Sequence, residues 1–388
     1  MSAYETGVFR NIFEELGYDK TEVNKKLEDM FNTMFYGADD ERIYFPVGED
    51  MGYITDTGNN DVRTEGMSYG MMMCVQLDKK EEFDRIWKWT KTNMYLDHGP
   101  NKGYFCWSNN LDGSKRADGA APDGEEFFAM ALLFASRRWG DGEGIFEYSK
   151  HAKDILKTAV HSDNPMWDKN NHYIKFICDC DWSDPSYHLP HFYEMFSELS
   201  DEQDKALWKQ TAKASREYLK KACDKNTGMN AEYAEYDGRP INRPDIDIVK
   251  RFGGRHDWFY SDAYRTIANI ALDYSWFEAD EWEVEIAEKL RSFYKDKCEY
   301  DENHEPSFGI YEIDGKPVEG KVLHPYALIA TNAASALASK KGEISESAAA
   351  AVRSFYELPL RKGARRYYDN CLQLFAMMAL SGNYRFYK

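Results

Sequence analysis

Residues 122–135 read PDGEEFFAMALLFA, in which a proline and three acidic residues precede a run that is apolar on nearly every side. A helix without a polar face has to be buried on all sides. Four other segments share this character: 67–77, 267–272, 327–338 and 372–380. The sequence therefore predicts a group of helices that lie in the interior of a large helical protein.

Helical periodicity extends over most of the chain. A helical stretch near 21–36 precedes six helix starts, at about 65, 124, 187, 261, 325 and 367. The first five are each followed by a more polar helix, near 81–95, 147–161, 202–223, 281–297 and 345–357, and the last helix, 367–382, is paired with the first stretch. Six buried helices alternating with six half-exposed ones predict an all-α fold, an (α/α)6 barrel with six inner and six outer helices.

The barrel is predicted to form one domain over residues 1–388, because no Pro/Gly/Ser-rich linker interrupts the pattern. A helical bundle or a solenoid is the competing interpretation, although no fixed-length repeat supports a solenoid. Strand-like alternation is scarce and predicts short strands at 173–177 and 308–313.

Charge excludes several classes of partner. The chain has 49 Lys and Arg against 67 Asp and Glu, a net charge of -18, and no basic stripe. Nucleic acid is therefore not a predicted partner, and an acidic protein favours a small neutral substrate. Aromatic residues make up 15% of the chain, which fits either a ring-lined cleft or simply an aromatic-rich core.

The N-terminus lacks the basic and apolar regions of a signal peptide, and no apolar run approaches the ~18 residues of a membrane span. Membrane partners are therefore not predicted. The seven cysteines are an odd, scattered set that predicts reduced thiols in a cytoplasm. Cys178 and Cys180, near His172, His188 and His191, have poor spacing for zinc. No metal and no other cofactor is predicted.

Each predicted inner helix starts with acidic, tyrosine or histidine residues. In an antiparallel two-ring barrel these six starts meet at one end, so the sequence predicts a single cavity there. Ordinary capping explains some of the residues, since acids and prolines are favoured at helix starts. Glu65, which is followed by Gly66 rather than by a helix former, is not explained by capping.

Acids that face each other across a barrel mouth suit glycoside hydrolysis, which uses two carboxyl groups, ~6.5–9.5 Å apart in inverting enzymes. The segments DVRTEGMSYG (61–70), APDGEEFF (121–128) and YSDAYR (260–265) resemble the acid, substrate-site and base motifs of glycoside hydrolase family 8. The resemblance extends over about 7–385 and includes DPSYHLPHFY (184–193), LHP (323–325) and RYYDNC (366–371).

The resemblance implies an inverting hydrolase with Glu65 as general acid and Asp262 as general base. It also implies substrate-site roles for six further residues: Asp123, Tyr187, Trp107, His324, Arg63 and Tyr367. Asp123 would grip the distorted sugar, Trp107 would stack on a xylose ring, and Tyr187 would hydrogen-bond near the attacking water and help to hold Asp262. Arg63 either pairs with Glu65 or holds its loop.

The LHP turn resembles that of family members that release one xylose from the reducing end of β-1,4-xylo-oligosaccharides. His324 would contact the reducing sugar and close the cleft beyond it. Two alternatives remain: an endo-acting xylanase, cellulase or chitosanase of the same family, and a catalytically silent sugar-binding barrel. The sequence does not indicate an oligomeric state.

Two features complicate this interpretation. First, a helix N-terminus lowers the pKa of Glu65, whereas a general acid needs a raised pKa. Burial or the Asp123 carboxylate therefore has to outweigh the effect of the helix dipole on this pKa. Second, the loop 236–258 is long and basic for this group, with Arg239, Arg243, Lys250, Arg251 and Arg255. Within it, Asp257 is a rival for the base, and His256 is also close enough in sequence to reach the site.

Overall fold

The computed structural model describes residues 2–243 and 255–388. It is mostly helical. Six helices are buried around much of their circumference: α2 (Thr64–Gln76), α4 (Pro122–Trp139), α6 (Pro190–Leu199), α8 (Tyr264–Phe277), α10 (Pro325–Ala334) and α12 (Arg366–Leu380). They correspond to the six predicted inner helices, and in α4 every residue from Pro122 to Ala135 is buried.

Six helices with one buried face accompany them: α1 (Lys20–Tyr36), α3 (Lys80–Asn93), α5 (Tyr148–His161), α7 (Lys205–Ala222), α9 (Glu281–Tyr294) and α11 (Glu346–Glu357). Short helical turns add Ala3–Thr6, Ile12–Glu15, Gly144–Phe146, Pro185–Tyr187, Glu202–Asp204, Ser261–Ala263 and Ser335–Leu337. The apolar stripe of each outer helix faces inward, as its periodicity predicts.

Helix contacts follow the predicted pairing. Each inner helix contacts the outer helix that follows it, and α12 contacts α1. The inner helices also contact one another in the order α2, α4, α6, α8, α10, α12, and α12 contacts α2. Buried apolar side chains from Ala3 to Phe386 form one main cluster.

Short β-ladders fix the segments that lead into the inner helices. Four ladders have two strands each: Tyr44–Val47 with Met51–Ile54, Val62–Arg63 with Ser108–Asn109, Trp182–Ser183 with Ala234–Glu235, and Glu299–Tyr300 with Pro306–Ser307. A fifth has three strands, in which Gly309–Glu312 pairs with Trp258–Phe259 on one side and with Pro317–Lys321 on the other. In three of these ladders a strand ends one or two residues before a helix or helical turn of the inner ring begins. They therefore anchor the backbone where the predicted site residues stand.

The strand predicted at 308–313 is present as Gly309–Glu312, but the strand predicted at 173–177 is wrong. Ile174 forms an isolated bridge with Trp167. The next backbone N–H groups go to different segments, from Lys175 to Met166 and from Phe176 to Trp182. Because successive bonds change partner, no ladder forms, although the alternating side chains look like those of a strand.

Candidate active site

The inner helices begin around one cavity of about 940 Å³. All six helix starts contribute lining residues, as the sequence predicts. The lining includes all eight predicted site residues: Arg63, Glu65, Trp107, Asp123, Tyr187, Asp262, His324 and Tyr367. Their individual roles stay predictions, but the structure brings them together.

Arg265, in the first turn of α8, is the centre of the charged network below this cavity. Its Nη1 lies 2.7 Å from Glu65 Oε2 and 3.4 Å from Asp123 Oδ2. Its Nη2 lies 3.6 Å from one oxygen each of Asp184 and Asp262. One buried guanidinium is thus shared among four carboxyl groups from four different helix starts.

Glu65 is held from two sides. Arg265 donates to one of its oxygens, and the hydroxyl of Tyr367 donates to the other at 2.7 Å. A Cβ at Gly66 would lie 2.8 Å from the Tyr367 ring, so glycine at this position allows α12 to approach so closely. The glycine that follows Glu65 therefore has a packing reason.

Burial raises the pKa of Glu65 to about 7, against the opposing charge of Arg265 and with the support of the Asp123 and Asp262 carboxylates. This is the direction that a general acid requires. Burial likewise raises the pKa of Asp123, although Arg265 opposes it. The dipole of the α2 N-terminus does not dominate.

Asp262 is the most open of the four carboxyl groups. Its side chain is 32% exposed, compared with 15% for Glu65, 9% for Asp123 and 0% for Asp184. It lies in the turn Ser261–Ala263, directly before α8. An accessible carboxylate at the cavity wall is suited to accept a proton from water.

Arg63 does not form an ion pair with Glu65. Its Nε lies 3.3 Å from Asp56 and 3.1 Å from Asp61, and its guanidinium lies 5.5 Å from the centre of the Trp107 ring. Arg63 therefore holds its loop and supports Trp107 at the same time. That outcome decides between the two possibilities that the sequence left open.

His324 is fixed by Asp369 in the first turn of α12. The Nδ1 of His324 lies 3.1 Å from Asp369, which also accepts the backbone N–H of Ala327 and pairs with Arg361. Since Nδ1 is engaged, Nε2 is the nitrogen left for a ligand in the cavity.

Tyr187 places its ring 5.6 Å from the Arg265 guanidinium. Among the described residues, its hydroxyl forms no direct hydrogen bond with Asp262, so it does not hold that carboxylate directly. A contact with the attacking water stays a prediction.

The loop ahead of α8 does not supply a rival base among the residues that the structure describes. Asp257 pairs with Arg255 at 2.7 Å, and neither Asp257 nor His256 lines the cavity. His256 is buried and instead lies 3.1 Å from a carboxylate oxygen of Glu232. Arg239 and Arg243 pair with nearby acids, and the predicted basic residues Lys250 and Arg251 lie outside the described residues.

Arg265 and Asp184 belong to the charged network of the site, although the sequence patterns do not predict a role for either. Both stand inside motifs that resemble those of the family, at 260–265 and 184–193. The three-residue spacing of Asp262 and Arg265 indicates at most a local pair within one helix turn. The bond of Arg265 to Glu65 spans 200 positions and needs the fold.

The described part of the chain lacks two further kinds of feature. It contains no group of three or more His, Cys, Asp or Glu side chains arranged to hold a metal ion. It also contains no helix whose length and apolar character would let it cross a bilayer.

Comparison with known proteins was consistent over the whole chain. The profile of Glycosyl hydrolases family 8 matches residues 48–382. A reducing end xylose-releasing exo-oligoxylanase from Halalkalibacterium halodurans is 50% identical over 389 residues, which cover 99% of this chain and 95% of the relative.

Solved structures agree with this match. The structure of Rex8A from Paenibacillus barcinonensis complexed with xylose has 48% identity and a TM-score of 0.94, with 100% of both chains covered. A Rex8A mutant complexed with an arabinofuranosyl-xylotetraose has 48% identity and a TM-score of 0.93, covering 100% of this chain and 98% of the other.

Proposed function

The chain belongs to glycosyl hydrolases family 8, and we propose that it releases a single xylose from the reducing end of β-1,4-xylo-oligosaccharides with inversion. The observation that carries the proposal is the pair of carboxyl groups on one guanidinium: a largely buried Glu65 with a pKa of about 7, and a partly exposed Asp262. The relatives at about half identity are named for this activity.

Glu65 is the general acid. Near neutral pH a large share of Glu65 carries a proton, which it gives to the glycosidic oxygen as the bond breaks. Asp262 is the general base that takes a proton from the attacking water on the other face of the sugar. Arg265 stabilises the carboxylate that Glu65 becomes, because its Nη1 already lies at 2.7 Å.

The proposed inverting course requires Glu65 and Asp262 to stand on opposite sides of the scissile bond. The two carboxyl groups contact different nitrogens of Arg265, Nη1 and Nη2. A water can occupy the space between an acid and a base that are ~6.5–9.5 Å apart, whereas a nucleophile in a retaining enzyme needs only ~5–5.5 Å.

The remaining predicted residues bind the sugar chain. Trp107, supported by Arg63, offers a flat face to one xylose, and Asp123 accepts hydrogen bonds from a distorted one. His324 closes the cavity at the reducing end and bonds the terminal sugar through Nε2. A wall at this point leaves room for one xylose beyond the cut.

We also infer that the inner helices close into an (α/α)6 barrel within a single domain over 1–388. The cyclic order of inner-helix contacts and the continuous apolar cluster support this arrangement. The net charge of -18 and the short neutral substrate fit an enzyme that works in the cytoplasm without nucleic-acid or membrane partners.

Product analysis on xylotriose and on xylotriitol tests the proposal. We expect the protein to cut xylotriose to xylose and xylobiose, to leave xylotriitol intact, and to lose activity in Asp262→Ala. Asp257→Ala is the matched control, because Asp257 stands five residues away and pairs with Arg255 outside the cavity.

Cleavage of both substrates would contradict the role of His324 and favour an endo-acting family member. Binding of xylotriose without cleavage of either would favour the silent barrel.

A further inference from the structure

The first turn of α12 presents two consecutive tyrosines to the cavity. Tyr367 donates its hydroxyl proton to Glu65, as described above. Tyr368 donates to the carbonyl oxygen of Ser261 at 3.0 Å, and Ser261 directly precedes Asp262. One turn of one helix therefore reaches both the acid and the segment that carries the base.

Ser261 has an unusual backbone conformation. Its φ is 39°, in the left-handed region that residues with a side chain rarely adopt. Such a conformation persists where the surroundings hold it, and it is concentrated at functional sites. The Ser261 carbonyl accepts the backbone N–H of Tyr264 as well as the Tyr368 hydroxyl, so the Tyr368 hydroxyl ties this turn to the inner helix α12.

Tyr368 is itself held firmly. Its side chain is buried, it lines the cavity, and its ring lies 4.8 Å from that of His324. His324 in turn bonds Asp369, the next residue on α12. The tyrosine thus stands between the wall at the reducing end and the turn of the base.

We propose that Tyr368 is a positioning residue that holds the strained Ser261 turn and thereby aims the carboxylate of Asp262. The inference rests on the proposed role of Asp262 as the base. Tyr368 does not touch the reacting atoms. Its effect is on the geometry of Asp262, whose side chain is about a third exposed and whose charged partner Arg265 lies 3.6 Å away.

Tyr368→Phe removes the hydroxyl and keeps the ring. We expect kcat on xylotriose to fall about 10- to 100-fold, the range for a misplaced catalytic group, while KM changes little. Tyr104→Phe is the matched control. Tyr104 is also buried and its hydroxyl also lies near backbone carbonyl oxygens, those of Thr158 and Asn164, but it does not line the cavity.

A substrate with a good leaving group separates base from acid. β-Xylobiosyl fluoride needs little protonation of its leaving group but still needs an activated water. The Glu65→Gln variant should therefore recover activity on the fluoride, whereas the Tyr368→Phe variant should lose kcat on the fluoride by the same factor as on xylotriose.

Wild-type kcat in Tyr368→Phe, or a loss that disappears on the fluoride, would overturn the inference. The first result means that the turn holds without the hydroxyl, and the second means that Tyr368 acts on Glu65. Full activity of Asp262→Asn on both substrates would instead reject the proposed base, and so distinguishes failure of the mechanism from failure of this inference.

Discussion

Helix α8 carries a buried arginine–carboxylate cluster near each of its ends, and the two clusters differ in their charge balance. At the start, Arg265 is shared among Glu65, Asp123, Asp184 and Asp262. Near the end, Asp273 receives two hydrogen bonds from Arg216, at 2.7 and 2.8 Å. We call these the Arg265 cluster and the Arg216 cluster.

The pKa shifts of Asp273 and Glu65 run in opposite directions. Burial would raise the pKa of Asp273, but Arg216 outweighs it and the pKa is lowered. The neighbouring Glu283 keeps its proton, because burial and the Asp273 carboxylate raise its pKa to about 11. In the Arg265 cluster one guanidinium cannot compensate four carboxyl groups, so burial wins at Glu65. Arg216 donates hydrogen bonds to Asp273 and to Glu194, and it holds Asp273 in its charged form within the fold. Arg265, which is shared among four carboxyl groups, leaves at Glu65 a carboxyl group that can give up its proton near neutral pH.

The largest expected effect is on the rate at the Arg265 cluster. Asp262→Ala should lower kcat about 10²- to 10⁴-fold, the usual contribution of a general base, with little change in the free energy of unfolding. The rate at which xylotriose is converted to products gives kcat, and urea denaturation gives the free energy of unfolding. A stability loss without a rate loss would make this cluster structural and erase the contrast.

The Arg216 cluster should respond in the opposite way. Arg216→Met leaves Asp273 buried without its partner, which should cost about 3–5 kcal/mol of unfolding free energy, while kcat of the folded protein is retained. Arg239→Met is the control, because Arg239 is 78% exposed and forms a surface pair. If both variants unfold at the same urea concentration, the Arg216 cluster does not stabilise the fold.

A smaller effect concerns Glu65 and stability. The pKa of Glu65 is raised in the folded state. Its contribution to the free energy of unfolding is therefore fully present below the pKa of the unfolded chain, near 4.5, and is lost as the pH rises through about 7. Glu65→Gln should therefore be more stable than the parent protein above pH 7, by up to about 3 kcal/mol, and the difference should shrink in acid. Glu319→Gln is the control, because Glu319 is exposed. Equal stability of Glu65→Gln and the parent protein at all pH values would show that the fold does not raise the pKa of Glu65.

The smallest effect is a shift of the pH profile. The Asp123 carboxylate helps to raise the pKa of Glu65, so Asp123→Asn should move the alkaline limb of kcat/KM to lower pH. Asp257→Asn should leave the limb in place. Movement to higher pH would mean that Asp123 does not act on Glu65 through its charge.

Much of the fold could be predicted from local patterns. The apolar run 127–135 and its counterparts identify the inner helices, since a period of 3.6 and the absence of a polar face are properties of single segments. The helix starts then bring Glu65 and Asp262 to one cavity. The sequence also singles out Gly66. The reason for a glycine there is the close approach of Tyr367, which stands on a helix about 300 positions away.

What could not be predicted depends on contacts between segments. Three contacts depend on neighbours in the folded chain. Arg265 is shared by several carboxyl groups, the Tyr368 hydroxyl bonds the Ser261 carbonyl, and Asp257 forms an ion pair with Arg255 instead of lining the cavity. The wrong strand at 173–177 has the same origin, because alternation describes side chains and not the partners of the backbone.

The pH dependence of kcat/KM on xylotriose is the most direct test of the central claim, that a shared Arg265 leaves Glu65 able to act as an acid near neutral pH. Since kcat/KM reports the groups of the free enzyme, activity should fall on the alkaline side with a midpoint near pH 7, as Glu65 loses its proton. A profile that stays level through the alkaline range would contradict the account, because the acid would then not be a carboxyl group with the pKa that this cluster gives to Glu65.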